Sequence, residues 1–363
     1  MTGMKARKKI VSVVGARPQF IKASPVSRAL RKRFHEVLVH TGQHYDENMS
    51  RVFFDQLGIP RPDFDLDVGS GSHAVQTGLM LERMERVFTD ETPDCVLVYG
   101  DTNSTLAGAL AGAKLCIPVA HVEAGLRSHN RAMPEEINRI LADHCSDFLF
   151  CPTRTAVENL KKEGVANGVF LTGDVMLDAA LYFGREAERQ SRILSGLRIE
   201  PKQFLLCTVH RAENTDDADR LRSIAEALAA VQETVVFPVH PRTRKVLEAT
   251  GLWKMLQTAG RVLCIPPVGY LDMMLLEKHA RKILTDSGGI QKEAYFFQVP
   301  CITLRDETEW VETVEDGWNR LVGADRIRIL EAVRSFAPVA SGSRRFGNGK
   351  AAEAIADLLL KKI

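Results

Sequence analysis

The stretch CVLVYGDTNSTLAGALAGAK, residues 95–114, shows the pattern that decides the fold. Residues 95–99 form a short, continuously apolar run, as expected of a strand that is covered on both faces. A polar turn containing Asp101 follows, and a helical pattern comes after the turn. A strand that leads directly into a helix in this way is the repeating unit of a parallel α/β sheet.

The same alternation recurs along the chain and then begins again after a polar stretch near residues 185–203. The other strands predicted before that stretch are residues 10–14, 37–40, 119–122 and 148–151. Those predicted after it are residues 204–209, 235–239, 262–265, 283–285, 301–304 and 320–322. We therefore predict an α/β protein with two Rossmann-like domains, residues 1–175 and 176–349. The C-terminal helix, residues 350–363, is expected to join the first domain.

Length and composition are those of an ordinary soluble enzyme with two domains. The chain has 363 residues, 26% of them charged, with 48 Lys and Arg against 46 Asp and Glu. This balance argues against a nucleic-acid partner. The seven cysteines are scattered without C-x-x-C spacing, which predicts reduced thiols and no zinc site. Neither a secretory signal nor a membrane span is visible, so we expect a cytoplasmic protein with no membrane partner.

Three acidic residues follow predicted strands or open a helix in the first domain: Asp101, Glu123 and Glu135. Ligands of parallel α/β sheets bind beyond the carboxyl ends of the strands, so we expect these acids to face a cleft between the domains. Clustered carboxylates can serve as acid and base on one substrate. The alternative is structural, with Asp101 capping a helix and Arg139 pairing with Glu135.

Anion-binding residues are predicted in both domains. GARPQFIK places Arg17 and Lys22 at a strand-to-helix turn, but it lacks the further glycines of a dinucleotide fingerprint, so no nicotinamide cofactor is expected. DSGGIQKEA offers Ser287, Gly288 and Gly289 to a phosphate at a helix N-terminus. A solvated basic turn and a simple helix cap are the respective alternatives.

Further polar side chains follow strands of the second domain. HRAEN and HPR place His210 and His240 after strands, where histidines serve anion binding or proton transfer. Glu293 could accept two ribose hydroxyls, and RDETEW adds Arg305 at another strand end. A surface glutamate and a helix cap are the alternatives for these two. No Walker loop, GxSxG elbow or HExxH motif is present.

Taken in order, the motifs GARPQFIK, TGQH, GDTNSTLAGALA, HVEAGLRS, MPEEINR, HRAEN, PVHPR, LTDSGGIQKEA and RDETEW resemble the non-hydrolysing UDP-N-acetylglucosamine 2-epimerase family. The resemblance covers nearly the whole chain. It implies two Rossmann-like domains of the glycosyltransferase B type, a UDP-sugar substrate, a homodimer, and no metal or nicotinamide cofactor.

The resemblance also implies roles for individual residues. The catalytic positions carried over are Asp101, Glu123, Glu135 and His210. The UDP contacts carried over are Arg17, Lys22, His240, Ser287, Gly288 and Glu293. We add Arg139, Gly289 and Arg305 to the predicted substrate-binding residues. The family's effector site falls near Gln43 and His44, where YDENM follows in place of the family's usual residues.

Within the family, GALAGAKL, NRAMPEEINRIL, HRAENTDD and RDETEW look like the bacterial branch that acts on UDP-2,3-diacetamido-2,3-dideoxy-glucuronate and forms the manno isomer for lipopolysaccharide O-antigen. We expect His129 or Arg131 to contact the uronate carboxylate. The alternatives are a UDP-N-acetylglucosamine 2-epimerase and, more remotely, a glycosyltransferase or an inactive UDP-sugar sensor.

The predicted chemistry follows from the acidity of carbon 2. The hydrogen on this carbon is not next to a carbonyl group, so its removal needs somewhere for the charge to go. If UDP leaves carbon 1 as a carboxylate takes the hydrogen, a 1,2-alkene forms and the charge ends on the diphosphate. Re-addition of UDP with protonation of the other face gives the epimer, and this requires two proton-transfer groups.

Overall fold

The computed structural model describes residues 7–43, 57–338 and 344–363, with Arg17 described in its backbone only. The chain divides into two compact units. The first contains Met1–Ala179 and Arg344–Ile363, and the second contains Ala180–Ser343. Each unit is built around one parallel β-sheet with helices packed against it.

The sheet of the first unit has the strand order β3-β2-β1-β4-β5-β6-β7. Every pair of neighbouring strands is parallel. The strands are β1 Lys9–Val14, β2 His35–His40, β3 Phe64–Asp65, β4 Cys95–Tyr99, β5 Val119–Val122, β6 Phe148–Cys151 and β7 Val169–Leu171. β3 and β7, of two and three residues, were not predicted from the sequence. The strand order reverses between β1 and β4, which is where such sheets bind ligands.

Helices connect these strands in the first unit. They are α1 Arg17–Leu30, α2 His73–Glu91, α3 Asn103–Lys114, α4 Pro134–His144 and α5 Arg154–Lys162. Helix α6, Val175–Gln190, follows β7 and contains the boundary between the two units. The alanines and glycines of α3 allow close packing on the sheet. A Cβ atom on Gly108 would lie 2.9 Å from Val98 on β4, and one on Gly112 would lie 2.8 Å from Val119 on β5. Larger side chains at these two positions would push the helix away from both strands.

The sheet of the second unit has the order β10-β9-β8-β11-β12-β13 and is also parallel throughout. Its strands are β8 Phe204–Thr208, β9 Thr234–Pro238, β10 Val262–Ile265, β11 Lys282–Thr285, β12 Cys301–Thr303 and β13 Asn319–Leu321. Leu205 and Cys207 contribute to one hydrophobic cluster, whereas Phe204 and Leu206 contribute to another. Both faces of β8 are therefore covered, as its continuous apolar run predicts.

The remaining helices are α7 Ile193–Leu197, α8 Ala212–Thr215, α9 Ala218–Ala230, α10 Pro241–Ala249, α11 Leu252–Thr258, α12 Tyr270–His279, α13 Gly288–Phe296, α14 Val311–Glu315, α15 Arg326–Ser335 and α16 Ala351–Lys362. The C-terminal helix α16 packs on α1 of the first unit. Asp178 caps it by accepting hydrogen bonds from the backbone N–H groups of Ala351 at 3.1 Å and Ala352 at 2.8 Å.

The prediction of an α/β protein with two Rossmann-like units is confirmed. No helix within the described ranges is long and apolar enough to cross a membrane. All seven cysteines are free thiols.

Candidate active site

Asp101 and Glu123 lie at the carboxyl ends of neighbouring strands in the first unit. Asp101 comes two residues after β4, and Glu123 comes directly after β5. The Lys22 ammonium group lies 2.5 Å from Oε1 of Glu123. A Cβ atom placed on Gly100 would lie 2.9 Å from this ammonium nitrogen and 3.7 Å from the Glu123 oxygen. The Lys22–Glu123 ion pair therefore packs directly against the turn that carries Asp101.

Glu123 has a backbone conformation that is uncommon for a residue with a side chain. Its φ angle is +73°, in the left-handed region. The backbone N–H groups of Glu123 and Ala124 both donate to the carbonyl oxygen of Phe150 on β6, at 3.1 and 3.2 Å. Strained conformations of this kind persist where the surrounding structure enforces them and often mark functional sites.

Helix α4 supplies the cation that pairs with Asp101. Arg139 is buried, with Nη2 at 2.5 Å from Oδ2 of Asp101 and Nη1 at 3.0 Å from Oε2 of Glu136. Glu136 is also buried and accepts hydrogen bonds from the backbone N–H groups of Ser128 and His129, each at 2.9 Å. Glu135, the predicted catalytic acid of this helix, is exposed. Glu136 was not singled out from the sequence, although its i,i+3 spacing to Arg139 is a usable signal.

The turn after β1 is closed by a side chain rather than left open for an anion. Oε1 of Gln19 accepts hydrogen bonds from the backbone N–H groups of Gly15 at 2.8 Å and Ala16 at 3.0 Å. Its Nε2 donates to the carbonyl oxygen of Tyr99 at the end of β4. This turn was predicted to hold a diphosphate, but two of its N–H groups are already bonded. The predicted ligand Arg17 begins α1, and its side chain lies outside the described part of the chain.

In the second unit, Asp286 organises the loop that carries His210. The buried Asp286 carboxylate accepts hydrogen bonds from the backbone N–H groups of His210 at 3.0 Å and Arg211 at 3.0 Å, and from the side chain of Asn214 at 3.2 Å. Nδ1 of His210 lies 3.4 Å from the same carboxylate. Burial lowers the pKa of His210, helped by the charges of Arg211 and Arg242 and opposed by that of Asp286. The imidazole is therefore neutral at pH 7.

His240 lies beside His210, with ring centroids 5.8 Å apart. It occupies the N-cap position of α10, and its Nδ1 accepts a hydrogen bond from the backbone N–H of Arg242 at 3.2 Å. A nitrogen that accepts carries no proton, so the proton of a neutral His240 is on Nε2. The two histidines predicted from separate strand ends are thus brought together.

The Ser-Gly-Gly turn leads from β11 into α13, as predicted. Ser287 is the N-cap residue, and its hydroxyl accepts from the backbone N–H of Ile290 at 3.5 Å. A Cβ atom on Gly288 would lie 2.4 Å from Oε1 of Glu309 and 3.3 Å from Nε1 of Trp310. Gly288 is therefore required here for close approach of the RDETEW segment. Asp286, the residue before this cap, holds the His210 loop.

Two further predicted residues of the second unit are buried. Glu293 on α13 accepts a hydrogen bond from the Tyr270 hydroxyl at 3.4 Å. Arg305 has 1% of its surface exposed, and its Nη1 pairs with Oε2 of Glu309 at 3.0 Å. Arg211 approaches the same carboxylate at 3.8 Å. Arg305 therefore serves first to hold Glu309 beside the Gly288 turn.

Gln43, one of the two expected effector-site residues, is bonded to the start of α3. Its Oε1 accepts hydrogen bonds from the backbone N–H of Ser104 at 3.1 Å and from the Ser104 hydroxyl at 2.7 Å. His44 lies outside the described residues. Among the residues that are described, no group of three His, Cys, Asp or Glu side chains is arranged to hold a metal ion.

Comparison with known proteins gives one consistent result. The family model described as UDP-N-acetylglucosamine 2-epimerase matches residues 28–360. A protein of Methanococcus maripaludis named UDP-N-acetylglucosamine 2-epimerase homolog is 55% identical, over 97% of this chain and 99% of its own. The UDP-2,3-diacetamido-2,3-dideoxy-D-glucuronate 2-epimerase of Pseudomonas aeruginosa is 52% identical over the same shares.

A solved structure extends the similarity to the fold. The Methanocaldococcus jannaschii UDP-GlcNAc 2-epimerase, crystallised with UDP-GlcNAc and UDP, matches with a TM-score of 0.90 and 45% identity. The match covers 97% of this chain and 99% of that one. On these matches the chain belongs to the non-hydrolysing UDP-N-acetylglucosamine 2-epimerase family and is a UDP-sugar 2-epimerase.

Proposed function

We propose that the chain inverts carbon 2 of UDP-2,3-diacetamido-2,3-dideoxy-α-D-glucuronate and forms the manno isomer by elimination and re-addition of UDP. The observation that carries the chemistry is the pair of carboxylates around Gly100. Asp101 and Glu123 lie on adjacent strand ends, and each is paired at 2.5 Å with a different cation, Arg139 or Lys22. Two separately held carboxylates suit a reaction that takes a proton from one face and returns one to the other.

The proposal divides the work between the residues of the two units. Asp101 and Glu123, with Glu135 and His210, move protons at carbon 2. One carboxylate removes the hydrogen while the bond from carbon 1 to the UDP oxygen breaks, so the electrons form the 1,2-alkene and the charge leaves with UDP. The charge is received by hydrogen-bond donors at the Ser287–Gly289 turn, at Nε2 of His240 and at Arg17. Reversal, with protonation from the opposite face, gives the epimer.

The assignment of His240 as a donor follows from its hydrogen bonding. Because Nδ1 accepts from the Arg242 backbone, a neutral His240 can offer only Nε2–H to a partner. A phosphate oxygen accepts hydrogen bonds, so it is a suitable partner for this N–H donor. Glu293 is assigned to the ribose hydroxyls, since a carboxylate accepts two hydrogen bonds at once. The Tyr270 hydroxyl orients this carboxylate from the side.

The choice of the acidic sugar is supported by the 52% identical relative and by the loop before α4. That relative is named for the diacetamido-glucuronate substrate. His129 and Arg131 are both exposed in this loop, and Glu136 holds the backbone N–H of His129. An arginine on a loop that is fixed by backbone hydrogen bonds is suited to bind a uronate carboxylate.

UDP-N-acetylglucosamine is the second candidate substrate. It is favoured by the crystal structure of the M. jannaschii relative, which contains this nucleotide sugar and has the same fold at 45% identity. The two candidates differ in the charge at carbon 5 and in the nitrogen at carbon 3. Residues that bind UDP and move the carbon 2 proton would serve either sugar, so we assign the discrimination between them to the loop before α4.

The test uses both nucleotide sugars in D₂O, without added cofactor, and follows carbon 2 by proton NMR. Deuterium entering carbon 2 of the acidic sugar, with formation of its manno isomer, supports the proposal. Turnover of UDP-N-acetylglucosamine alone would transfer the assignment to the second candidate. Release of free UDP without formation of a deuterium-labelled epimer would indicate hydrolysis instead of epimerisation.

A variant pair tests the loop. Arg131→Ala should raise KM for the acidic sugar about tenfold, in line with the loss of one charge-assisted hydrogen bond of ~1.5 kcal/mol. Its KM for UDP-N-acetylglucosamine should not change. Arg86→Ala on α2 is the matched control, because Arg86 is an exposed arginine paired only with its helix neighbour Glu82 in the described structure. Equal effects on both sugars would remove Arg131 from the proposal.

The same proposal places the enzyme in the cytoplasm as a homodimer that supplies a sugar nucleotide for lipopolysaccharide O-antigen. Light scattering on the purified chain measures its mass directly. A monomeric mass at concentrations where the enzyme is active would contradict the dimer.

A further inference from the structure

A buried histidine, His121, lies beneath the two proposed catalytic carboxylates. It is on β5, two residues before Glu123, and none of its surface is exposed. Nδ1 lies 2.7 Å from Oδ1 of Asp143, and Nε2 lies 2.7 Å from the carbonyl oxygen of Gly100. A carbonyl oxygen can only accept, so Nε2 must carry a proton.

The state of Nδ1 depends on Asp143. The other oxygen of this carboxyl group accepts hydrogen bonds from Nη1 of Arg127 at 2.7 Å and from the backbone N–H of Gly125 at 3.1 Å. Burial acts to raise the pKa of Asp143, but the hydrogen bonds and positive charges of His121 and Arg127 outweigh burial and lower it. Asp143 is therefore a carboxylate, and Nδ1 of His121 must also donate. With both nitrogens donating, the ring is an imidazolium.

This imidazolium joins the two turns that carry the proposed catalytic groups. Gly100, whose carbonyl oxygen it holds, has a φ of +63° and is followed directly by Asp101. The backbone N–H of Gly100 donates to Val122, the residue before Glu123, at 3.0 Å. On the other side, Asp143 holds the N–H of Gly125, two residues after Glu123. One buried ion pair thus fixes the backbone on both sides of the carboxylate pair.

We propose that His121 is a positioning residue for carbon 2 epimerisation: anchored by Asp143, it holds the Gly100 carbonyl and so sets the spacing of Asp101 and Glu123. The inference rests on the proposed function, because it assigns the two carboxylates to proton transfer. It requires no contact between His121 and substrate. A misplacement of about 1 Å at reacting groups is enough to cost a hundredfold in rate.

Among the described residues, the charged group bonded to the ring is Asp143. Asp143 approaches it from α4, and Arg127 lies behind that carboxylate. The far side of Arg127 pairs with Glu163 at 2.7 Å. The imidazolium is therefore balanced by Asp143 directly, which makes Asp143→Asn the informative change.

The first measurement is the protonation state of His121 in the intact protein. With ¹⁵N-labelled histidine, His121 should show a proton on each ring nitrogen, because Nε2 donates to the Gly100 carbonyl oxygen and Nδ1 donates to Asp143. The signal is assigned by its absence from His121→Gln. A ring with only one protonated nitrogen would overturn the proposal, and the measurement itself is made on the wild-type protein.

The second measurement separates positioning from binding. In His121→Gln, kcat for deuterium entry at carbon 2 should fall at least tenfold, while Kd for UDP stays within twofold, because the Ser287–Gly289 turn and His240, to which the diphosphate is assigned, belong to the second unit. The control is His35→Gln, which replaces an exposed histidine at the amino end of β2 and should match the wild type in kcat. If the wild type exchanges deuterium and kcat is unchanged in His121→Gln, the inference about His121 is wrong but the proposed function stands. Absence of exchange in the wild type would overturn the proposed function.

The third measurement is kcat of Asp143→Asn. The variant loses the carboxylate that anchors Nδ1 of His121, so kcat for deuterium entry at carbon 2 should fall at least tenfold while Kd for UDP stays within twofold. An unchanged kcat would count against positioning through the pair of Asp143 and His121.

Discussion

Replacing Asp101 by asparagine removes a carboxylate base while keeping its shape. Oδ2 of Asp101 lies 2.5 Å from Nη2 of Arg139, and the asparagine carbonyl can accept the same hydrogen bond. Arg139 also keeps its second partner, Glu136, at 3.0 Å. The substitution therefore weakens one hydrogen bond by removing the negative charge of its acceptor. The expected cost is about 1–2 kcal/mol in the free energy of unfolding. The variant should remain folded.

The effect on catalysis should be larger than the effect on stability. A side chain that transfers a proton in the transition state contributes about 10²- to 10⁴-fold to the rate. This range corresponds to about 2.7–5.4 kcal/mol of activation free energy. Because an asparagine amide cannot take up the carbon 2 proton, kcat should fall by this factor. Kd for UDP should change little, since UDP is assigned to other residues.

The assay is deuterium entry at carbon 2 in D₂O, measured by proton NMR, with calorimetry for UDP binding and a thermal melt for folding. The control is Asp94→Asn, at the other end of the same strand β4. Asp94 accepts a hydrogen bond from the backbone N–H of Lys9 at 2.7 Å, so its replacement should have a similar cost in stability and leave kcat unchanged. If Asp101→Asn keeps more than about a tenth of the wild-type kcat, the assignment of proton transfer to Asp101 is wrong.

Three further predictions test other parts of the structure. Because burial lowers the pKa of His210, the acidic limb of kcat should lie below the usual value of about 6.5, and a pH profile with a limb at or above that value would contradict a neutral imidazole. Gly288→Ala would place a methyl group 2.4 Å from Glu309, so UDP affinity measured by calorimetry should fall about tenfold or more. Gly196→Ala, where nothing lies within 4 Å, should not weaken UDP binding. Glu277 is buried, and burial together with the charge of Glu293 raises its pKa well above the usual value. The folded state therefore keeps a proton that the unfolded chain releases above about pH 4.3, so stability falls as pH rises. Glu277→Gln should unfold at a higher denaturant concentration than the wild type at pH 7, and at the same concentration near pH 4. If the two proteins unfold at the same concentration at pH 7, then ionisation of Glu277 does not lower the free energy of unfolding.

Several features could be predicted from the sequence because they depend on local patterns. Continuous apolar runs such as Cys95–Tyr99 specify strands that are buried on both faces, whatever packs on them. Polar residues directly after such runs, such as Asp101 and Glu123, must lie at the carboxyl edge of a parallel sheet. The Ser-Gly-Gly turn before α13 was recognisable because the small residues and the cap are adjacent in sequence.

Other features could not be predicted, because they depend on which distant groups meet. Nothing local shows that Lys22 pairs with Glu123, a residue 101 positions away, or that Gln19 occupies the turn expected to hold a diphosphate. The strands β3 and β7 are too short to show a periodic pattern and exist because a neighbouring strand offers hydrogen bonds.

Helix α4 shows most clearly what the sequence determines and what the tertiary structure decides. The sequence MPEEINR determined that acids would open α4 and that an arginine would lie about one turn further on. Only the tertiary structure decided that Glu136 and Arg139 face inward while Glu135 is exposed, because the rotation of a helix about its axis is set by what it packs against. The same holds for His121, whose position in an apolar strand is visible in the sequence. Its charge follows only from the carboxylate and the carbonyl oxygen that the fold brings to its two nitrogens.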